Sequence, residues 1–536
     1  MIDTSFNKHI IENFKAYSDR QEIIIKPITL IFGTNNAGKS SLLKSLMYVH
    51  HFFKYKQSDL IEVQEGDEII DYGGIHQIIN YGAEGGKFRF GREIKVKGDI
   101  NRDIFREIAN TLNTAQITDL NLAFFKWEGD LKWEVEIDVK NFDATYITSV
   151  ELLFNDIKGE VSILSDNGVE KENFNFPETA KLKLAQDNEN KPYLNLKEFS
   201  DGAEILIMSL LNKNIMKSET GNLLHLEISN LKKLIDSAEI SITGDFLRIR
   251  QDGNFSEIYN WNERESELIK SDIHNFINDF FINPFNEIYP FRVRTTSYFG
   301  PLRAIPERIV NSTHIEDNAW YNLLEDDFGF EDYETGEETS YREIINMILT
   351  SEDRLNLNLE FVQETFKSNL NDHREIKNLA LRNTISGHIL SLRDVGTGLS
   401  QLLPIVVELI SRFENDDIII EQPELHLHPG LQSKFGRLLS YTFRPNRNII
   451  METHSEHIIK SLQLEVTKYH TSDGEQGISK DDIAILYVSN KEGGAHVREM
   501  KLDESGAFTE PWPDDFFELS ADLTMERLKS RYKSMN

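Results

Sequence analysis

One octapeptide narrows the possible folds of this chain more than any other stretch: Gly33-Thr34-Asn35-Asn36-Ala37-Gly38-Lys39-Ser40. It fills every fixed position of the pattern G-x-x-x-x-G-K-[ST], and its flanks are those the pattern requires. Before it runs EIIIKPITLIF (residues 22–32), a near-continuous apolar segment of the kind buried on both faces of a parallel sheet. After it, SSLLKSLMYVHHFF (40–53) carries apolar residues at helical spacing. Strand, Gly-rich loop and helix in that order predict a phosphate cradle. The glycines let successive backbone N–H groups turn inward, Lys39 supplies a point charge for the β- and γ-phosphates of ATP, and Ser40 offers its hydroxyl to Mg2+. The residues expected to hold nucleotide are therefore Gly33, Asn35, Asn36, Ala37, Gly38, Lys39, Ser40 and Ser41, with the positive end of the next helix behind them.

Three further segments suit that loop. In IIIEQPELHLHP (418–429) a β-branched run ends in a carboxylate, so Glu421 is the candidate partner of Ser40 at a metal. An ordinary core strand with an acidic tip has the same local pattern, and the phosphate loop is what favours the metal reading. In DVGTGLSQLLPIVVEL (394–409) small residues lead into a helix start, which leaves the amides around Gly398 and the Ser400 hydroxyl to meet an anion. Glu452-Thr453-His454-Ser455 closes the apolar run NIIME, where His454 can hydrogen-bond the γ-phosphate and orient the attacking water. With His426 and His428 it offers an alternative, a zinc cluster, that no further ligand spacing supports.

Between the first motif and the rest the texture changes. KFRFGREIKV, LKWEVEIDV and ITSVELLF alternate as antiparallel strands do, with a turn expected at Asp166-Asn167-Gly168. Segments 203–217, 263–281 and 342–370 read as helices, and the acidic stretch at 325–340 as a solvated loop. No internal repeat or sustained heptad pattern is evident. After residue 390 the predicted order is helix 399–413, strand 417–421, helix 431–441, strand 448–452 and helix 455–464. The expected fold is α/β, a head that resembles an ABC-type P-loop NTPase, with a mixed α+β insertion between the phosphate loop and the Ser400 segment. The expected boundaries are residues 1–80 and 386–490 for the two parts of the ATPase lobe, 81–385 for the insertion, and 491–536 for a short C-terminal extension.

Composition excludes several functions. Cysteine is absent, which removes disulfide scaffolds, thiolate zinc sites and Cys nucleophiles and suits a reducing cytoplasm. No apolar run reaches the roughly eighteen residues of a membrane span, and no signal pattern opens the chain. The 89 acidic residues exceed the 58 basic ones, a net charge of −31, which disfavours broad nucleic-acid binding because no excess of Lys and Arg exists to displace counterions.

The four motifs in this order resemble the ATP-binding-cassette ATPases of the RecF and structural-maintenance-of-chromosomes class. More closely, the E-x-P-E-x-H-L-H-P string, the Asn13-Phe14-Lys15 opening and Thr453-His454-Ser455 resemble the ATPase half of the overcoming-lysogenisation-defect family and its stand-alone relatives. YFGPLRAIPERI (298–309) and EPWPDDFFE (510–518) resemble a subset with a short C-terminal domain. The resemblance implies a homodimer that sandwiches two ATP molecules between each phosphate loop and the partner's Gly398–Ser400 segment. It also implies control of a separate effector, a nuclease or toxin, in antiphage defence of the Septu, PARIS or retron kind. A RecF-like ATPase that clamps DNA and a slow or non-hydrolysing ATP-dependent scaffold are the alternatives.

The catalytic Glu of that class falls at Gln422, whose amide cannot take a proton from water. Either Glu424 or His454 then assists the water, or hydrolysis is slow and the ATP-bound dimer persists. About eighty residues follow His454 and contain no D-x-D string, so no nuclease centre of the Toprim type is expected.

Overall fold

The computed structural model describes residues 2–99, 117–195, 239–250, 296–303 and 329–513, less short stretches within them, together with Leu323. The chain divides into two compact units. One comprises Met1–Ile11, Phe53–Ser58 and Gly85–Val293; the other comprises Glu12–Phe52, Asp59–Glu84 and Arg294–Asn536.

The second unit is built on a six-stranded sheet. Its strands are β1 (Ile28–Gly33), β2 (Thr296–Phe299), β3 (Asp417–Glu421), β4 (Asn448–Glu452), β5 (Ile483–Lys491) and β6 (Gly494–Glu499), in the spatial order β2-β3-β4-β1-β5-β6. The first five are mutually parallel and β6 closes one edge antiparallel to β5. Every residue of β1, β3 and β4 is buried, as the unbroken apolar runs require. The apolar segment at 22–32 is not one strand: it breaks before Pro27, which has no N–H to give a ladder, leaving Gln21–Ile24 and β1.

Five helices serve this sheet or the loops at its end: α1 (Lys39–Tyr55), α2 (Tyr341–Thr350), α3 (Thr397–Ile410), α4 (Pro429–Tyr441) and α5 (Glu456–Thr471). Leu402, Val406, Leu438, Leu439, Ile458 and Leu462 from these helices join Leu30, Ile418, Ile420 and Met451 from the strands in one apolar cluster. The burial fixes the height and rotation of each strand, so the loops beyond their carboxyl ends inherit fixed positions.

Helix α2 ends far short of the predicted 342–370. A capping box between Ser340 and Glu343 starts it, and it stops at Thr350. Asn356 and Asn358 then take left-handed φ values of 51° and 53°, and the chain returns as strand Leu359–Lys367, paired with Glu375–Asn383. The alternating LEFVQETFK has the strand period of two, which outweighs the helical spacing read across the whole stretch. The acidic segment also holds a short ladder, Gly329–Glu331 against Glu338–Ser340.

The first unit carries an antiparallel sheet whose long strands, Lys87–Asp99, Ile117–Asp138 and Asp143–Ser165, pair in sequence order as the alternation predicts. Phe88 and Phe90 point inward opposite Ile137 and Val135, while Lys87 and Arg89 both reach Glu136 at 2.6 Å on the other face. Shorter strands extend the sheet in the order Ala180–Gln186, Pro192–Asn195, Glu239–Thr243 and Phe246–Arg250. The predicted helices at 203–217 and 263–281, and residues 166–167 of the predicted turn, lie outside the described residues.

Candidate nucleotide site

The expected residues from both ends of the sequence meet at the carboxyl edge of the parallel sheet in the second unit. The register pairs Glu421 of β3 with Glu452 of β4, and Glu452 in turn with Ile31 of β1, two residues before the phosphate loop. The loop leaves β1 at Gly33, where a side chain is impossible: an added Cβ would lie 2.0 Å from the Val488 carbonyl oxygen of β5. Asn35, Asn36 and the buried Ala37 form the turn, with Asn36 in the left-handed region at φ 60°. The Tyr17 hydroxyl donates to the Gly38 carbonyl at 3.1 Å and braces the last glycine from outside.

Lys39 folds back over its own loop. Its ammonium donates to the carbonyls of Gly33 (3.2 Å) and Thr34 (3.0 Å) and lies 3.8 Å from Glu452 Oε1. The Ser40 hydroxyl donates to Glu452 Oε2 at 3.2 Å. Ser41 is half-buried beside it in the first turn of α1. Burial holds the Lys39 ammonium below its usual range and pushes the Glu452 carboxyl up, in spite of their mutual attraction. Desolvation therefore outweighs the ion pair at 3.8 Å, and both charges favour a further charged partner.

Glu421 is buried at the tip of β3. It accepts from the Tyr298 hydroxyl at 2.8 Å, and its backbone carbonyl accepts from Arg303 Nη2 at 2.6 Å. Burial raises its pKa, with Glu452 adding to the rise. Arg303 is itself pushed down to about 10 by burial, although Glu68, Glu424 and Glu421 all pull the other way. Gln401 holds the Arg303 backbone from both sides, accepting from its N–H at 2.8 Å and donating to its carbonyl at 2.6 Å. The segment at 298–303, noted in the sequence only as a family likeness, is thus tied to Glu421 and to helix α3.

Gln422 takes a left-handed φ of 44°, and its N–H donates to the Glu452 carbonyl at 2.9 Å. Its side chain hydrogen-bonds the Glu452 carboxylate. Glu424, an expected helper of water, has both oxygens engaged elsewhere. Oε2 accepts from the Thr453 hydroxyl at 2.9 Å and Oε1 from the His454 N–H at 2.6 Å, so this carboxylate ties down the loop after β4. His454 is half-buried with Nε2 4.0 Å from Glu452 Oε1, and burial, helped by Lys39, keeps its pKa below the ordinary value.

Helix α3 begins two residues earlier than predicted, at Thr397. The Ser400 hydroxyl, expected to face an anion, is turned inward: it donates to the Thr397 carbonyl at 3.0 Å and the residue is buried. A serine one turn into a helix readily satisfies a local carbonyl in this way, which leaves Gly396 and Thr397 as the exposed residues at the helix start. Gly398 sits against the loop after β3, where an added Cβ would lie 2.5 Å from the His426 carbonyl oxygen.

The zinc alternative finds no support among the described residues. His426 is exposed, and His428 caps α4 by accepting from the Gly430 N–H at 3.2 Å. The described residues do bring His50, His51 and Glu65 together, where His51 Nδ1 meets the Tyr72 hydroxyl and Nε2 meets Glu65, both at 2.8 Å. No helix among the described residues is long and apolar enough to cross a membrane.

Glu452, Tyr298, Arg303 and Gln401 were not singled out as site residues from the sequence. Glu452 had a readable signal, since NIIME ends an apolar strand in a carboxylate just as DIIIE does. Tyr298 and Arg303 had none, because only the folded sheet carries them to Glu421 across more than a hundred residues.

The family model for the AAA ATPase domain matches residues 6–459, and that of a protein of unknown function, DUF3696, matches 478–526. No curated protein matches the chain. Among solved structures, similar ones include an Smc head domain with an extended coiled coil, bound to the C-terminal domain of ScpA, from Pyrococcus furiosus (10% identity, 93% of this chain and 96% of that chain, TM-score 0.36). Others are the SMC head domain from Thermotoga maritima (9%, 93% and 99%, 0.32) and an Smc head domain with a coiled coil and joint from Pyrococcus yayanosii (11%, 94% and 98%, 0.36). With the family match running through the phosphate loop, Glu421 and His454, the chain belongs to the AAA ATPase domain family and is an ATP-binding ATPase with an ABC-type P-loop fold.

Proposed function

We propose that this chain is an ATP-gated head that dimerises around two nucleotides, hydrolyses them, and so controls a separate effector protein, a nuclease or toxin, in antiphage defence. The observation that carries the ATP-gated part is the convergence of Lys39, Ser40, Glu421 and Glu452 at one edge of the sheet. Lys39 and the loop amides suit the phosphates. Ser40 and Glu421 would hold Mg2+, which prefers hard oxygen donors and, when bound, neutralises charge developing on the phosphates. The donor set fits: Glu421 and Glu452 are buried in adjacent register, burial and then Glu452 raise the pKa of Glu421, and a divalent cation relieves that repulsion.

Dimerisation is inferred from the α3 segment. Gly396 and Thr397 are exposed at the start of a helix, and a helix start favours an anion, the task expected of the Gly398–Ser400 stretch toward a partner's nucleotide. The effector rests on the sequence resemblance alone. Direct DNA clamping is disfavoured by the charge of −31.

Phosphate release and light-scattering mass, with and without MgATP, test the first part. Turnover and a doubled mass, both lost in Lys39→Ala, are expected; an ATP-independent monomer with no turnover refutes it. Plaque counts on cells carrying this gene with its neighbours, wild type against Lys39→Ala, test the defence role. Equal counts would remove it.

A further inference from the structure

The residue after Glu421 is an amide, yet a carboxylate stands one strand away with its side chain on the phosphate loop. Glu452 is buried, within 3.2 Å of the Ser40 hydroxyl and 3.8 Å of the Lys39 ammonium. No other carboxylate among the described residues contacts both of these loop side chains. Glu424 has both oxygens engaged by Thr453 and His454, and Glu421 has one on Tyr298.

Gln422 is bound to Glu452 twice, through its side-chain amide and through its backbone N–H at 2.9 Å. Its φ of 44° is a conformation that a non-glycine residue keeps only when its surroundings enforce it. The backbone of β4 enforces it here. An amide at 422 donates to the carboxylate of 452, whereas a second carboxylate would repel it. The pair is complementary only as amide plus acid.

We propose that Glu452 supplies the carboxylate that position 422 lacks: the base for ATP hydrolysis has moved from β3 to the neighbouring strand β4, with Gln422 as its positioning residue. In this step a bond forms between the water oxygen and the γ-phosphorus. The bond from the γ-phosphorus to the β–γ bridging oxygen breaks, and ADP leaves with that electron pair. The water's proton passes to Glu452 and afterwards to solvent. His454, with Nε2 4.0 Å from Glu452, borders the same space and is placed to hold the water or the phosphate.

The proposal rests on the ATPase reading above, and its test separates the two. The full-length chain is compared with Glu452→Gln, Glu452→Asp, Gln422→Glu and the exchange variant Glu452→Gln/Gln422→Glu. Mant-ATP affinity in Mg2+ and phosphate release at saturating ATP are measured for each, with the unfolding midpoint as a check on folding. A misplaced or missing general base costs about 100-fold or more, so Glu452→Gln should bind mant-ATP within about threefold of wild type and release phosphate at least about 100-fold more slowly. Glu452→Asp keeps the acid and should lose less. The exchange variant restores an amide–acid pair with the strands reversed, and should recover at least about tenfold over Glu452→Gln.

Wild-type turnover in Glu452→Gln overturns the proposal. So does a loss of mant-ATP binding in both Glu452→Gln and Glu452→Asp, which would make the residue an anchor of the loop. Failure of the exchange variant to recover turnover while it binds mant-ATP also counts against it. A wild-type chain that binds mant-ATP but never releases phosphate overturns hydrolysis itself, and that result is read before any substitution.

Discussion

Removing the Glu424 side chain should expose what that carboxylate does. Its two oxygens accept from the Thr453 hydroxyl at 2.9 Å and the His454 N–H at 2.6 Å, and it is the only link of this kind between the loops after β3 and β4 among the described residues. Truncation in Glu424→Ala leaves two donors without their acceptor. Each buried donor so stranded costs about 1–3 kcal/mol, and because the His454 and Thr453 contacts are partly buried the sum should fall near 2–4 kcal/mol. Glu424→Gln keeps one acceptor oxygen for the His454 N–H, and the Thr453 hydroxyl can rotate to accept from the new amide. It should cost about 1 kcal/mol, the value of the lost charge on two hydrogen bonds.

Urea unfolding monitored by circular dichroism reads both values, and phosphate release is measured on the same samples. A clamp predicts that turnover falls in step with the displacement of His454, so that Ala is worse than Gln in stability and in rate alike. If Glu424→Gln abolishes turnover at unchanged stability, the carboxylate is the base itself and not a clamp.

Other consequences can be measured as directly. Gly398→Ala forces a Cβ to within 2.5 Å of the His426 carbonyl; it should cost about 1–3 kcal/mol and displace the start of α3, abolishing the ATP-dependent rise in mass by light scattering. Trp512 stacks on Phe32 with centroids 4.5 Å apart and planes within 5°, next to Gly33, and also packs on Phe508. Trp512→Ala should destabilise the chain by about 3 kcal/mol in urea and weaken mant-ATP binding; unchanged affinity would uncouple residue 512 from the loop. His9, in the first unit, is fully buried, and burial, with Arg92 adding to it, holds its pKa well below 6.5. A depressed histidine pKa means the unfolded chain binds the proton first, so stability is full above about pH 6.5 and falls below it by about 1.4 kcal/mol per pH unit. His9→Gln should flatten that slope in unfolding measured from pH 7 to 5; an unchanged slope would assign it to other groups.

Much of the second unit was legible because its signals are local. The strand–loop–helix around Lys39 is written in consecutive residues, and β3 and β4 fall on the predicted bounds since their apolar centres, residues 418–420 and 449–451, have nowhere to lie but the middle of a sheet. Segment 342–370 was misread for the same kind of reason. Helical and strand periods overlap over a few turns, and only pairing with Glu375–Asn383 decides for the strand. Ser400 was read as open to an anion because sequence gives the residue type and not the rotamer; the fold lets its hydroxyl find the Thr397 carbonyl first.

By itself the sequence determined that this chain holds a phosphate loop, an acid-tipped strand and a histidine-tipped strand, and hence that it is a P-loop ATPase. What only the tertiary structure decided is which acids face that loop. Register places Glu452 of β4 beside Glu421 of β3, and the left-handed turn at Gln422 sends Glu424 away to hold His454. Both outcomes depend on hydrogen bonds between strands thirty residues apart in the chain, and no local pattern of residue types specifies them.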